Sequence, residues 1–572
     1  MSRTSVEVIT TSACAQTITL KPSTASKDPG ALKLPTAKPN RLGVLGEDPE
    51  NRTQVQLHPL AVTDPENVST TKSLSKSKSA VVVISASSMV FMVSILNGML
   101  TVGLPTMARE TNLSEGLMLW PASAFGLTCG CTLLLSGSIG DLVGSRTVYL
   151  TGSFLLAVFT LACGLAQTGI QLIMFRAMSG IAMSLCLPTA VSIITSAFPV
   201  GGGRNIAIAC LGAAQPVGFS IGIVLGGVLV GSIGWRYGYY IFAAINVPFF
   251  LVALWGVPKD PRKTHPLTWG RVTSEIDWVG NMLISTSLGM FSYTFAIMST
   301  GPKSILRPAN LSILTLALLS LTTFIYWIIR QESQNRTPLI PPSLFRSTPT
   351  TPHRARNFSA VCISVFFTWA IFNAHQYFTT LYFQRLQHLS TLQTSARFAP
   401  MILSGALANI LTGLVVSRIR ADLLCFSVAI ASAVAPLLMA LAHPSWSYWS
   451  AAFVATALIP ISADTLFTVS NLVITSIFPP KTHGLAGGVF NTISQIGMSV
   501  GLAVTGVISS TVTEQESRGG GRSSGESASD DGHALLKGYQ ATYWALFGAS
   551  ILTVGLSWWG LRGIGKVGLK KD

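Results

Sequence analysis

The chain has 572 residues, 49% of them hydrophobic and only 10% charged, with a mean hydropathy of +0.52. Soluble domains carry charge on about a quarter of their residues, so a water-soluble globular protein is excluded. The net charge of +16 is not a nucleic-acid footprint, because Lys and Arg cluster in the gaps between long apolar runs, which is a membrane-topology pattern.

Residues 1–78 are rich in Ser, Thr, Pro and Lys and lack periodicity, which predicts a disordered cytosolic tail. The tail does not read as a signal peptide, since the first apolar run begins near Ser79. Runs long enough to span a bilayer follow at roughly 79–104, 117–138, 146–166, 171–197, 205–231 and 237–257. After a charged loop come 278–300 and 309–329, and after another come 358–383, 396–416, 423–442, 448–477, 485–510 and 540–561. The expectation is an all-α integral membrane protein of 14 transmembrane helices. It divides into a six-helix bundle at 79–257, a two-helix insert with flanking cytosolic loops at 258–356, and a second six-helix bundle at 357–562. Within the second bundle a Gly-, Ser- and acid-rich segment, 511–537, is expected as a flexible outer loop, and 563–572 form a cytosolic tail.

With the N-terminus in the cytosol, the inner loops carry fourteen Lys and Arg against nine in the outer loops, and the C-terminal tail adds four more inside. The bias places both termini in the cytosol. Asn112-Leu-Ser is then a glycosylation sequon in a short outer loop. The eight Cys show no CxxC pair or Cys/His cluster with metal spacing, and they read as small packing residues and a tail thiol.

An internal repeat relates the two bundles. Thr195-Ser-Ala-Phe-Pro199 recurs as Thr475-Ser-Ile-Phe-Pro479, and Gly218, Ser220, Gly222 and Gly227 match Gly497, Ser499, Gly501 and Gly506 at an offset of 279. Paired six-helix repeats are the architecture of alternating-access carriers. Between the second and third spans lies Gly137-Ser-Ile-Gly-Asp141-Leu-Val-Gly144-Ser-Arg146. So short a connection makes its two helices antiparallel neighbours, and it reads either as a plain polar hairpin or as a loop held against an adjacent helix through Asp141.

These residues resemble the major facilitator superfamily. Gly137, Asp141, Gly144 and Arg146 match its loop 2–3 motif, thinned by Leu142 and Ser145 where cations are usual. Arg176 and Gly180 look like its Arg-x-x-x-Gly motif. Gly218, Gly222, Gly226 and Gly227 resemble its antiporter motif, with Ile223 in place of Pro. Trp235-Arg236, Asp277-Trp278, Glu332 and Gln384 are similar to the fourteen-span drug:proton antiporter branch, and within it to fungal members that include efflux pumps and low-affinity ammonium carriers. That branch usually has an Asp in the first span; here Asn97, which cannot titrate, stands in the corresponding pattern.

The resemblance implies a substrate cavity lined by the first and fourth helix of each half. The two charges in the span cores, Arg176 and Asp464, fall on those helices, as do Asn97, Trp369, Asn373, His375, Gln376 and Asn471. A charge at the bilayer centre costs about 2.5–3.5 kcal/mol on insertion scales, so it faces a cavity or a partner. Asp464 is the first candidate for proton coupling, the other reading being an acid bonded to a neighbouring helix. Arg176 either takes an anionic substrate or tunes a nearby acid, or it snorkels to the outer interface. His375 titrates or packs, and Trp369 and Tyr377 stack on a ligand or pack between helices. Asp141 and Arg146 would act as a cytosolic gate, and the glycine ladder would let helices close tightly.

The function expected is proton-driven export of small organic molecules, with import of an ammonium-type solute as the alternative and a non-transporting sensor as a third reading. No Walker A motif and no nucleophile–base or metal constellation argues for a nucleotide-driven pump or an enzyme. No cofactor beyond the proton gradient is expected, and the partners are the solute, protons and the lipid bilayer. The chain is expected as a monomer in the plasma membrane, the vacuolar membrane being the alternative.

Overall fold

The computed structural model describes residues 76–199, 202–259, 276–299, 307–334, 336, 338–347, 353–416, 418–478, 483–519 and 527–562. The segment 1–75, most of the loop expected at 258–277 and the tail at 563–572 lie outside the described residues. All regular structure among the described residues is helical. The long helices are α1 (Lys76–Glu110), α2 (Trp120–Val143), α3 (Ser145–Leu165), α4 (Gly169–Ala197), α5 (Gly202–Ser232), α6 (Trp235–Gly256) and α7 (Trp278–Ser299). Then follow α8 (Pro308–Ser333), α9 (Arg354–Leu381), α10 (Ala399–Val415), α11 (Ala421–Leu441), α12 (Ala452–Ile477), α13 (His483–Gly519) and α14 (Ser527–Gly560). A short helix, Thr391–Arg397, precedes α10.

Twelve helices among the described residues, α1–α6 and α8–α13, are long and apolar enough to cross a membrane. The remaining two, α7 with 22 residues and α14 with 34, stand at the seventh and fourteenth expected positions. Large apolar side chains such as Ile206, Trp255, Leu403, Leu414 and Trp559 are exposed, as lipid-facing residues are. The loop expected at 511–537 is narrower than its composition suggests. Helix α13 runs on to Gly519 and α14 begins at Ser527, because the two helices pack on each other there. A Cβ at Gly538 would lie 2.7 Å from the Ser509 carbonyl oxygen.

The repeat is visible in the packing. In the first half α1 packs on α5 and α6, α4 on α2 and α3, and α3 on α6; in the second half α9 packs on α13 and α14, α12 on α10 and α11, and α11 on α14. Even a hydroxyl bridge recurs. Thr132 on α2 donates to Ser184 on α4 at 2.7 Å, and Thr412 on α10 pairs with Thr465 on α12 at 2.9 Å. The insert leans on both halves, since α7 packs against α2 and α13. Asp277 ties the insert together: its carboxylate accepts from the Gly280 amide and Trp327 Nε1, each at 2.8 Å, and from the Leu339 amide at 3.0 Å.

The core is divided unequally. At the end of the bundle carrying residues 110–120, one hydrophobic cluster takes in both halves, from Met99, Leu100 and Trp235 to Phe378, Phe383 and Tyr543. At the opposite end there are two clusters. One belongs to the first half around Tyr149, Ala182 and Leu211, the other to the second half around Phe358, Val469 and Phe490, with Leu134 of α2 touching the latter.

Candidate functional site

The best-built polar centre lies in the first half. Helix α4 starts from a capping box, in which Thr168 accepts from the Gln171 amide and the Gln171 side chain returns to the Thr168 amide. Two turns on, Arg176 is only 2% exposed. Its Nη2 donates to Asn97 Oδ1 on α1 at 2.6 Å, its Nε donates to the Pro121 carbonyl on α2 at 3.1 Å, and its guanidinium lies 4.5 Å over the Phe125 ring. One side chain therefore ties three helices, and the reading in which it snorkels to an interface does not hold. The Arg-x-x-x-Gly spacing has a local cause. One turn beyond Arg176, a Cβ at Gly180 would meet the Thr128 hydroxyl and the Phe125 carbonyl. Glycine there lets α2 approach α4 closely enough for the guanidinium to reach Pro121. Both oxygens that take these protons are neutral, so the Arg176 charge is solvated by dipoles and an aromatic face rather than cancelled.

Asp464 sits elsewhere, partly buried on the face of α12 that meets α10. Asn409 lies beside it, its Nδ2 donating to the Gly405 carbonyl of its own helix at 3.1 Å, and a Cβ at Gly405 would lie 2.9 Å from Asp464 Oδ2. Arg176 and Asp464 are thus held in different halves by different neighbours.

The other expected cavity residues divide into packing and buried polar groups. Asn373 Nδ2 donates to the Met498 carbonyl at 3.3 Å, a cross-link from α9 to α13. Asn471 Nδ2 returns to the Phe467 carbonyl of its own helix at 2.9 Å. Trp369 is boxed edge-on by Phe372 and Phe467 at 5.6 and 6.0 Å, and its Nε1 has no hydrogen-bond partner. Gln376 and His375 are each 1% exposed, and His375 points into the second half against Tyr543, ring centres 5.4 Å apart. Tyr377 instead meets the first half through Thr101 on α1.

The stretch 137–150 is tied within its own half. Gly144 has φ +124° and ψ 131°, a conformation that side chains disfavour, and this lets α2 end and α3 begin within one residue. Ser145 Oγ donates to Ser192 of α4 at 2.7 Å, and Arg146 Nη2 donates to the Leu254 carbonyl at the end of α6 at 2.6 Å. A Cβ at Gly137 would lie 3.7 Å from Pro188 of α4. Asp141 is exposed at the end of α2.

The antiporter-motif glycines do two jobs. Gly218, Gly222 and Gly226 face the backbone of α1 at Phe91, Ile95 and Met99, with a Cβ at Gly226 falling 2.7 Å from Met99 Cα. Gly227 faces the other half, against Ser395 of the short helix, whose Oγ donates to the Ile223 carbonyl at 2.8 Å. Its repeat partner Gly506 likewise faces the first half, 3.4 Å from Leu119 Cδ1. Two further links join the halves at this end: Gln384 Nε2 donates to the Val102 carbonyl at 2.8 Å, and Arg385 grips Glu115 through both Nη atoms at 2.6 and 2.9 Å. Asn112, the sequon residue, is exposed at the same end with φ +52°. Among the residues of these links the sequence singles out Gly227, Gly506 and Gln384. Glu115, Arg385 and Ser395 escaped it, although opposite charges flanking expected spans at one end of the bundle were the available signal.

Comparison with known proteins agrees with this architecture. The family model described as Major Facilitator Superfamily matches residues 86–502. The chain is 41% identical over 534 residues to MFS-type transporter 1 of Pyricularia oryzae, covering 86% of this chain and 85% of that one. It is 26% identical to a low affinity ammonium transporter of Saccharomyces cerevisiae, covering 77% of this chain and 80% of that protein. To the efflux pump terJ of Aspergillus terreus it is 24% identical, with 76% and 77% covered. A bacterial homologue of the human lysosomal transporter Spinster, solved in an inward-facing and unoccupied conformation, superimposes with a TM-score of 0.59 at 17% identity, over 86% of this chain and 98% of that one.

Proposed function

The chain belongs to the Major Facilitator Superfamily, a family of membrane transporters and not of enzymes, and from that premise we propose that it exports small organic molecules in exchange for protons by alternating access. All fourteen long helices then span the bilayer, both termini lie in the cytosol, and the chain works as a monomer in the plasma membrane. The observation that carries this reading is the unequal core: one cluster seals the two halves together at one end, while each half keeps its own cluster at the other. With the termini inside, the sealed end is the outer one, and the chain is poised to take up its solute from the cytosol. Relatives named as an efflux pump and as a methylenomycin A resistance protein support the outward direction.

In this reading Arg176 supplies the uncompensated positive charge that draws an anionic or electron-rich part of the solute toward Asn97, and Asn373, Gln376 and Asn471 border its path. Asp464 carries the coupled proton, since a half-buried carboxylate with only a neutral amide beside it is a group whose protonation responds to the side it faces. Asp141 and Arg146 mark the cytosolic gate, and Arg146 at the end of α6 would release as that end closes. Asn112, on the outer side, is a site for sugar attachment.

The test is transport into inside-out vesicles loaded with a pH-sensitive dye, across a panel of organic anions, cations and neutral toxins. An interior-acid gradient drives uptake of at least one compound with proton release, and Asp464→Asn abolishes that coupling while the protein stays in the membrane. Coupled transport that survives Asp464→Asn removes Asp464 from the mechanism. A second reading, uptake of an ammonium-type cation, is favoured by the yeast relative's name and by the neutral Asn97. Methylammonium entering whole cells, with no organic compound leaving, would put it in place of the first.

A further inference from the structure

We propose that the interior of the second six-helix half binds water along the seam between α9 and α14, within reach of the imidazole of His375. The two helices run antiparallel in a register that sets Ala360 against Gly560, Thr368 beside Ser550 and Thr553, and His375 and Thr379 against Tyr543. The same register brings Ser364 level with Ser557. Ser364, Thr368, His375 and Thr379 form one polar stripe at helical spacing, and Tyr543, Ser550, Thr553 and Ser557 form the stripe that faces it. In a membrane protein such polar residues turned inward are costly unless each is paired.

Here several are not paired within the chain. The Ser364, Thr368 and Ser557 hydroxyls and both ring nitrogens of His375 are buried without a protein hydrogen-bond partner. These side chains are all at most 5% exposed. An imidazole always has at least one N–H to give and, when neutral, one lone pair to fill. Left dry, five such atoms would cost as much as the whole folding stability of an ordinary domain, so a partner must come from outside the chain.

There is room and chemistry for one. Beside the stripes lies a small cavity, with about 20 Å³ open to the centre of a water molecule, lined by Thr368, Ile371, Phe372, Ser432, Ser462, Ser550 and Thr553, among others. Ser432, Ser550 and Thr553 already spend their protons on helix carbonyls, at 2.9, 2.8 and 3.0 Å, and each keeps at least one lone pair for a donor, Ser432 giving its other to the Ser462 amide at 3.0 Å. The unpartnered Thr368 hydroxyl thus shares with three acceptors a space large enough for a water, which needs about 10–15 Å³ on that measure. His375 stands one turn of α9 beyond Ile371 and Phe372, which line that space. A small uncharged molecule that both donates and accepts fits this lining, and water is the one always present.

Two measurements on the full chain in detergent test the proposal. The first is deuterium exchange at the imidazole C2–H, read by mass spectrometry, with exposed His443 as the internal reference. His375 is expected to exchange measurably, more slowly than His443. Ser550→Leu, which fills the cavity, should abolish exchange at His375 and leave His443 unchanged. Absence of exchange at His375 in the wild type, or equal exchange in both proteins, overturns the proposal. The second is the melting temperature of Thr368→Val, which swaps a hydroxyl for a methyl of the same shape. A hydrated seam loses a water ligand and the melting temperature falls. A dry seam sheds an unpaired hydroxyl and the melting temperature stays or rises, which also overturns the proposal.

Discussion

The sharpest quantitative expectation concerns Gly222. A Cβ there would lie against the Cα, carbonyl carbon and carbonyl oxygen of Ile95, all of them backbone, so no rotamer change can relieve the clash. Gly98 on α1 sits reciprocally against Phe219, Gly222 and Ile223, so α1 and α5 share one line of closest approach. Carbon atoms settle at about 3.5–4.0 Å, and Gly222→Ala therefore forces the helices apart by roughly 1 Å. Overpacking of this kind costs about 1–3 kcal/mol, and a rigid backbone on the far side puts the cost near about 3. Alanine returns about 1 kcal/mol through its better helix propensity. The net loss is then about 2 kcal/mol. Gly212→Ala on the same helix is the control, because nothing lies within 4 Å of its Cβ position. It should gain about 0.5–1 kcal/mol from propensity alone. Thermal unfolding of the purified proteins in one detergent, followed by reactivity of the buried cysteines, reads the difference. If Gly222→Ala melts at or above Gly212→Ala, the close approach of α1 and α5 is wrong.

Arg176→Lys cannot hold the Asn97 amide and the Pro121 carbonyl together, and should cost about 1.5–3 kcal/mol for the lost charge-assisted bond; an unchanged melting temperature refutes the three-helix tie. Gly144→Ala forces a side chain into a region reserved for glycine, at a cost of about 1–3 kcal/mol in the same assay. The Arg385–Glu115 pair is well formed, but Glu115 is largely exposed, with 75% of its side chain accessible. A double-mutant cycle with Arg385→Ala and Glu115→Ala should therefore return a coupling below about 1 kcal/mol that fades at high salt, and a salt-independent coupling would show that the pair is desolvated.

Much of the architecture was readable from hydropathy, because a bilayer demands long apolar runs and a helix is the structure that satisfies its own backbone there. The repeat was readable too, since glycines that let helices touch recur wherever the same contact recurs: Gly497 and Gly501 face Phe366 and Ala370 of α9 as Gly218 and Gly222 face Phe91 and Ile95 of α1. What could not be read was partnership across the chain. Arg176 and Asn97 stand 79 residues apart, and Gly227 finds Ser395 in the other half. A charge in a span says that it needs a partner but not which one. His375 shows the same limit. Its position on α9 left titration and packing both open, and only the rotation of that helix sets it against Tyr543 of α14.

Gly227 and Gly506 bear on how easily the sealed end can part. A seal made of long side chains loses rotamer freedom each time it closes, about 1.5–2 kcal/mol for each Lys or Arg that is fixed. Glycine brings no rotamers, and its partners here are Ser395, the backbone of Leu392 and the tip of Leu119. The two repeat-related contacts can therefore be made and broken with little change in side-chain entropy. In the proposed cycle the balance between closed and parted forms then rests on the apolar cluster shared by both halves and on the polar groups that reorder, Gln384 and Arg385 among them.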